Sequence, residues 1–274
     1  MFPAQPLSIG GVVDAGVSLY GSTFKRTLRI SLLASIPYAL VSLAMSMAMD
    51  DFNLAEDADP AAVTAAAEQM MNGVIIYILP MYFTICFMFA AVGRRLVTLA
   101  RSEPVSDAAD LLFGLKLMIP LTLMMLAYIL LMTLGMLLLI VPGIILSVSL
   151  SLFMYVPIYE DRSVWSSLLR SHKLIWRGNW WRVAGALLII TILAMVVSGC
   201  FSILVGGFAV LKTTTDYTTI ITLVEGLGTW VMMTLLTPLS AAMALVLYND
   251  VVLRREGDDL DDRLAELDSN TLEA

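Results

Sequence analysis

The residues that could perform acid–base or metal chemistry are few and scattered in this sequence. There is one histidine, His172, with no Cys, His or carboxylate at ligand spacing around it. A nucleophilic serine needs a histidine and a carboxylate that orients it, and local spacing provides no such group. Glu160 and Asp161 are adjacent, and adjacent residues on a helix point in different directions. The sequence therefore predicts no catalytic residue, no metal site and no cofactor, and we expect a protein that is not an enzyme.

Glu225 is the one acidic residue that could lie inside an apolar segment. It is followed by Gly226 and Gly228 at the start of a charge-free stretch. A carboxylate at membrane depth costs several kcal/mol and marks a candidate proton or cation site. Alternatively, the apolar segment begins at Gly226 and leaves Glu225 at the membrane surface. Both interpretations are open at this point.

The composition excludes an ordinary soluble fold. Of the 274 residues, 59% are hydrophobic and 14% are charged, whereas a soluble domain has about 45–50% apolar and about 25% charged residues. Just over half of the chain lies in five windows without Asp, Glu, Lys or Arg. These windows are 30–49, 69–93, 117–159, 183–211 and 226–249.

A helix needs about 20 apolar residues to cross a bilayer, so four windows fit one crossing each and the longest fits two. We predict an all-α integral membrane protein with six transmembrane helices and a turn at Pro142–Gly143 between the third and the fourth. One membrane domain covers 1–249, and 250–274 is a short acidic cytoplasmic tail. The predicted spans are 30–49, 70–92, 117–139, 144–159, 183–209 and 226–248.

The distribution of basic residues predicts the orientation. With six spans, 15 of the 16 Lys and Arg residues lie on one side, and Lys212 alone lies on the other. Lys and Arg in short loops accumulate on the cytoplasmic side. We therefore expect both termini to be cytoplasmic.

Residues 163–177 have the pattern of an amphipathic helix at the membrane interface. We predict an apolar face with Val164, Trp165, Leu168, Leu169, His172, Ile175 and Trp176. The predicted basic face carries Ser166, Ser167, Arg170, Ser171, Lys173 and Arg177. Tryptophan prefers headgroup depth, and juxtamembrane basic residues attract anionic lipids. The candidate lipid-headgroup residues are Trp165, Arg170, Lys173, Trp176, Arg177, Trp180, Trp181 and Arg182; simple interfacial anchoring is the alternative.

A stripe of small residues marks the fifth predicted span. Ser198, Ser202 and Gly206 recur every four residues. Small residues at this spacing allow the close approach of another helix. We predict helix packing along this stripe, with a substrate path as the alternative, and an oligomer is compatible with it.

Two stretches of the sequence have a familiar pattern. The first comprises the run Leu138–Leu146, Phe153, Pro157, Glu160 and the run Ser171–Trp181. The second comprises Leu247–Asp250, Arg254–Gly257 and Leu260. Together they resemble the membrane domain attached to some bacterial glycerophosphodiester phosphodiesterases, and stand-alone relatives of that domain, although Val252 stands where the family pattern leads us to expect an arginine. The resemblance implies a role in lipid or envelope metabolism. The phosphodiesterase activity of that family belongs to a separate soluble barrel domain, which this chain does not contain.

These observations favour a non-enzymatic protein of a bacterial inner membrane that organises, senses or handles lipid. Its expected partners are membrane lipids, anionic ones included. A nucleic-acid partner is not expected, because the sequence has no basic stripe of the kind that binds nucleic acid. The alternative function is a small transporter or channel with a proton or cation site at Glu225.

Overall fold

The computed structural model describes residues 2–50, 60–160, 162–176, 178–212 and 217–272. All regular secondary structure in these ranges is helical, which confirms the all-α class. The helices are α1 (Ile9–Asp50), α2 (Pro60–Ala100), α3 (Asp107–Leu138), α4 (Ile140–Leu150), α5 (Val156–Tyr159), α6 (Ser167–Trp176), α7 (Trp180–Lys212) and α8 (Thr218–Leu272). A short 3-10 helix, Val164–Ser166, precedes α6.

Among the described helices, five are long and apolar enough to cross a membrane: α1, α2, α3, α7 and α8. They contain the first, second, third, fifth and sixth predicted spans, apart from Leu139 at the end of the third. Ser106 caps the start of α3 by accepting a hydrogen bond from the N–H of Ala109. Asp107 and Asp110 lie in its first turn, where negative charge is favoured by the helix dipole.

The fourth predicted span, 144–159, is not one helix. Helix α4 has 11 residues, Ile140–Leu150, and a helix of that length spans about 16 Å, against about 30 Å for the hydrocarbon core of a bilayer. Turns over 151–155 separate it from α5, Val156–Tyr159. The chain between Leu139 and Glu160 is therefore a broken segment that packs against α3.

The chain reverses at Leu139, so the predicted turn at Pro142–Gly143 is wrong. Leu139 is extended, with φ −162° and ψ 139°. Pro142 and Gly143 lie in the first turn of α4, where the missing N–H of proline removes no helical hydrogen bond. Gly143 serves close packing instead, since a Cβ atom there would lie 2.7 Å from the backbone nitrogen of Met136 in α3.

Helices α1 and α8 pack antiparallel through small and hydroxyl residues. The Ser31 hydroxyl donates to the Thr234 carbonyl at 2.6 Å. The Trp230 indole N–H donates to the Ser35 hydroxyl at 2.8 Å. Farther along α8, toward its C-terminal end, the backbones meet again, because Gly16 faces Met243 without an intervening side chain.

The buried core is concentrated at one end of the bundle. Every residue of α8 from 241 to 252 is buried, and α2 is mostly buried between 84 and 100. The opposite halves of the helices are largely exposed, as at Ile76 in α2 (66%) and Ile203 in α7 (78%). Extended exposed apolar surface of this kind marks contact with a membrane or another protein.

Substitution of Gly16 tests the α1–α8 contact. A Cβ atom at Gly16 would lie 2.5 Å from the Cα atom of Met243, whereas one at Gly21 in the same helix would meet no atom within 4 Å. We expect Gly16→Ala to cost about 1–3 kcal/mol through overpacking. Gly21→Ala should be neutral or stabilise α1 by about 0.5–1 kcal/mol, because alanine favours a helix interior. Thermal unfolding of both variants in detergent would measure the difference, and equal midpoints would contradict the contact.

Candidate functional site

The first of three ionic clusters surrounds Arg95 near the end of α2. Its side chain is 2% exposed. The Nε atom donates to Asp110 and the Nη2 atom to Asp107, both at 2.5 Å. The Nη1 atom donates to the backbone carbonyl of Arg26 at 3.1 Å. Because Arg26 lies in α1 and both aspartates lie in α3, this one buried guanidinium joins three helices.

The second cluster surrounds Glu160, which follows α5. Arg170 of α6 donates to both carboxylate oxygens, with distances of 2.9–3.2 Å. The Tyr248 hydroxyl of α8 donates at 2.6 Å. Arg162 pairs with the same carboxylate at 2.6 Å, but its side chain is 55% exposed. Burial opposes ionisation of this carboxyl most strongly. The hydrogen bonds from Arg170 and Tyr248, together with the positive charges of Arg170 and Arg162, outweigh burial, so the pKa of Glu160 is lowered from its ordinary value.

The third cluster surrounds Asp250 of α8, whose side chain is 2% exposed. Its carboxylate accepts hydrogen bonds from the backbone N–H of Leu7 at 2.7 Å, from Arg182 at 2.9 Å and from Arg254 at 3.1 Å. Both arginines also donate to the Leu7 carbonyl. Asp250 thus fastens the segment before α1 and the start of α7 to α8.

The three clusters lie at the same end of the bundle, which we call the charged end. Arg101, at the end of α2, donates to the Tyr159 carbonyl at 2.7 Å, and the Tyr159 hydroxyl donates to Asn249 at 2.5 Å. The segments that precede α3 and follow α5 therefore lie close together. Helix α3 leaves the charged end, and the chain has returned to it by Glu160.

Sequence reasoning missed the carboxylates of the three clusters, although each has a recognisable signal. Asp107, Asp110, Glu160 and Asp250 are acidic residues beside apolar segments on the side that carries nearly all the basic residues. A carboxylate in that position has arginines within reach and can be buried with them.

The arginines predicted to meet lipid headgroups have different partners. Arg170 is engaged by Glu160 and Arg182 by Asp250. Arg177 lies outside the described residues. Lys173 is exposed on α6.

The tryptophans divide into exposed and fixed rings. Trp165, Trp176 and Trp181 are 62%, 53% and 83% exposed. Trp180 is partly buried, and its indole N–H donates to the Ile145 carbonyl of α4 at 3.4 Å. The rings of Trp180 and Trp181 pack edge to face, with centroids 4.6 Å apart.

The predicted faces of α6 need correction. Ser167 and Ser171, placed on the basic face, are fully buried, and the Ser171 hydroxyl donates to the Ser149 carbonyl of α4 at 3.0 Å. The small serine side chains let α6 approach α4 closely. The exposed stripe instead contains Trp165, Leu169 and Trp176, of which Leu169 is 65% exposed.

An apolar pocket of about 580 Å³ lies between α4 and the turn that joins α6 to α7. Gly178 makes that turn with φ +86°, a left-handed conformation that favours glycine. The pocket is lined by Val141, Ile144, Ile145, Trp176, Gly178, Trp180 and Trp181.

Glu225 lies two turns into α8 and borders a smaller pocket of about 260 Å³ with Ser202, Thr229 and three apolar residues. Ser202 is exposed, and the Ser198 hydroxyl bonds to the Ala194 carbonyl within α7. Gly206 belongs to α7, but its packing lies outside the described residues. Helix packing along this stripe stays a prediction. The close approach of α7 and α8 occurs at Gly228, where a Cβ atom would lie 2.7 Å from Val205.

A family model described as "Domain of unknown function (DUF7847)" matches residues 87–251, more than half of the chain. The chain belongs to this family. A search of curated proteins and a search of solved structures each find no match. The DUF7847 match begins within α2 and ends within α8, so it includes the carboxylates of all three clusters.

The Glu160 cluster of this DUF7847 protein allows a matched comparison of two arginines on one carboxylate. We expect Arg170→Met to destabilise the protein by about 1.5–3 kcal/mol, because it removes hydrogen bonds between charged groups that are largely buried. Arg162→Met should cost about 0–1 kcal/mol, because its side chain is mostly in solvent. Thermal unfolding in detergent would measure both.

The double variant Glu160→Gln/Arg170→Met measures how much stability comes from the interaction between these two residues. Removing one partner leaves the other charge buried, whereas removing both does not. The double variant should therefore lose less stability than the sum of the two single variants. Additive losses, or equal effects of Arg170→Met and Arg162→Met, would contradict the role given to this cluster.

Proposed function

We propose that this protein is a non-enzymatic, multi-pass protein of a bacterial inner membrane that organises, senses or handles lipid. The observation that carries the proposal is the exposed stripe of Trp165, Leu169 and Trp176, which lies along α6 and the 3-10 helix before it. The pair between Arg170 and Glu160 fastens α6 to the charged end. The stripe belongs to a bundle with five helices apolar enough to cross a membrane. Lipid at the interface is the partner whose chemistry fits such a surface.

The proposed topology has an even number of crossings, with both termini in the cytoplasm. Five long helices alone would give an odd number of crossings. The segment from Asp107 to Glu160 begins and ends at the charged end, however, so it adds an even number of crossings whatever depth it reaches. The contact between Arg101 and Tyr159 supports this return. The excess of Lys and Arg at that end supports a cytoplasmic location for it.

Contact between α6 and the membrane interface is supported by the apolar and basic side chains that α6 exposes. Large apolar side chains exposed to water cost about 25 cal/mol per Å², and the interface removes that cost. Indole rings favour headgroup depth, where the ring is apolar and the N–H is hydrogen-bonded. Lys173 is exposed beside the stripe and would add about 1 kcal/mol of attraction to an anionic leaflet.

The non-enzymatic proposal is supported by the state of the buried acids. Asp110, Glu160 and Asp250 each accept hydrogen bonds from arginine, so each of these carboxylates already has a structural partner that links helices at the charged end. The resemblance to the membrane domain of glycerophosphodiester phosphodiesterases implies a role in lipid or envelope metabolism. That role stays a prediction. The transporter or channel function at Glu225 also stays a prediction.

Lipid retention by the purified protein tests the proposal. We expect native mass spectrometry in mild detergent to detect bound phosphatidylglycerol in preference to phosphatidylcholine. Lys173→Ala should weaken phosphatidylglycerol binding by about fivefold, the factor that corresponds to about 1 kcal/mol. Lys212→Ala, at the opposite end of α7, should leave it unchanged. Absence of retained lipid, or equal effects of the two lysine variants, would contradict the proposal.

A further inference from the structure

We propose that the pocket between α4 and the α6–α7 turn is a discrete binding site for one acyl chain of a phospholipid from the leaflet at the charged end. This inference rests on the proposed function, because it places a defined lipid site beside the interfacial stripe. It differs from general interfacial anchoring, which would need no pocket and no fixed stoichiometry.

The lining selects an apolar ligand. Among the described residues, every side chain that lines the pocket is aliphatic or aromatic. Its volume of about 580 Å³ falls in the range of about 300–1,000 Å³ that is typical of small-molecule sites. A soluble ligand with several polar groups would lose hydrogen bonds with water here without regaining them.

The surroundings of the pocket indicate a lipid chain as its occupant. Val141, on its wall, is 65% exposed and continues an exposed apolar run that begins at Leu137. The pocket therefore opens onto an apolar surface of the protein. Acyl chains are the abundant apolar component that a bilayer presents to such a surface. Trp181 and Trp176 stand at its rim, and their exposed rings suit the boundary between acyl chains and headgroups.

A headgroup position follows from the same geometry. Lys173 precedes Trp176 by three residues, and residues at this spacing are neighbours on a helix surface. Both side chains are exposed. A phosphate above an acyl chain in the pocket would lie toward Lys173, which favours an anionic phospholipid.

The walls of the pocket are held in place before any ligand binds. Trp180 is fixed by its hydrogen bond to the Ile145 carbonyl. Helix α7 is fastened at its start by the pair between Arg182 and Asp250, and α6 by the pair between Arg170 and Glu160. A site whose walls are already ordered loses less conformational entropy when it binds. The buried arginines would therefore shape the lipid site without touching the lipid.

A pocket-filling variant and a matched control test the site. Ile144→Trp would place a large ring in the pocket, whereas Leu137→Trp adds the same ring at a position that is 81% exposed and outside the lining. In native mass spectrometry with dioleoyl phosphatidylglycerol, we expect one strongly retained lipid in the unaltered protein and in Leu137→Trp. Ile144→Trp should lose it while keeping the unfolding midpoint of the control in lipid-free detergent.

The outcomes separate this inference from the proposed function. If phosphatidylglycerol is retained equally by both tryptophan variants, lipid binding stands and the pocket is not its site. If the unaltered protein shows a dimer without lipid and Ile144→Trp abolishes the dimer, the occupant is a second copy of this chain, and the inference is wrong. If no variant retains lipid, the proposed function fails as well.

A second measurement does not depend on a variant that fills the pocket. Two variants would keep a single tryptophan, Trp180 in the pocket wall or Trp165 on the exposed stripe, with the others replaced by phenylalanine. With phosphatidylglycerol brominated on the acyl chain, the emission of Trp180 should be quenched at low lipid mole fraction and then saturate. The emission of Trp165 should fall gradually. Gradual quenching of both rings would overturn the inference.

Discussion

The burial of carboxylates among arginines is the constraint on which the rest of this structure depends. Asp110, Glu160 and Asp250 are largely removed from water at one end of a bundle whose opposite half exposes many apolar side chains. A buried charge without a partner costs several kcal/mol, so each carboxylate must gather donors from several segments. The donors come from segments that are distant in sequence. Asp250, for example, joins Leu7 and Arg182 to α8. The charged end is packed for this reason, while the apolar half of the bundle has little tertiary contact.

The burial of these carboxylates also changes the role assigned to the basic residues. Arginine suits buried pairs because its planar group donates several hydrogen bonds and keeps its charge. Arg170 and Arg182 are engaged by carboxylates, so the proposed contact with lipid is assigned to the exposed tryptophans and Lys173. The arginines then determine where α6 and the start of α7 lie, and so determine the shape of the pocket between them.

The sequence predicts the long helices well because the absence of charge over about 20 residues is a local property. It does not predict the reversal at Leu139, since the close approach of Gly143 to Met136 involves two helices. It also misjudges α6, whose serines face the protein because Ser149 lies opposite Ser171. Helical periodicity separates two faces of a helix but does not say which one meets lipid and which one meets protein.

The proposed topology places both termini and the segments around Glu103 and Ser163 on the cytoplasmic side, at the charged end. Labelling of single cysteines by a membrane-impermeant maleimide tests this placement, in a bacterial host and in a background with Cys86 and Cys200 replaced by serine. Glu103→Cys, Ser163→Cys and Tyr217→Cys place the thiol at exposed positions of the chain. We expect labelling of position 217 in intact spheroplasts, and of positions 103 and 163 only after permeabilisation. Labelling of 103 and 163 from opposite sides, or of 217 from the same side as both, would contradict it.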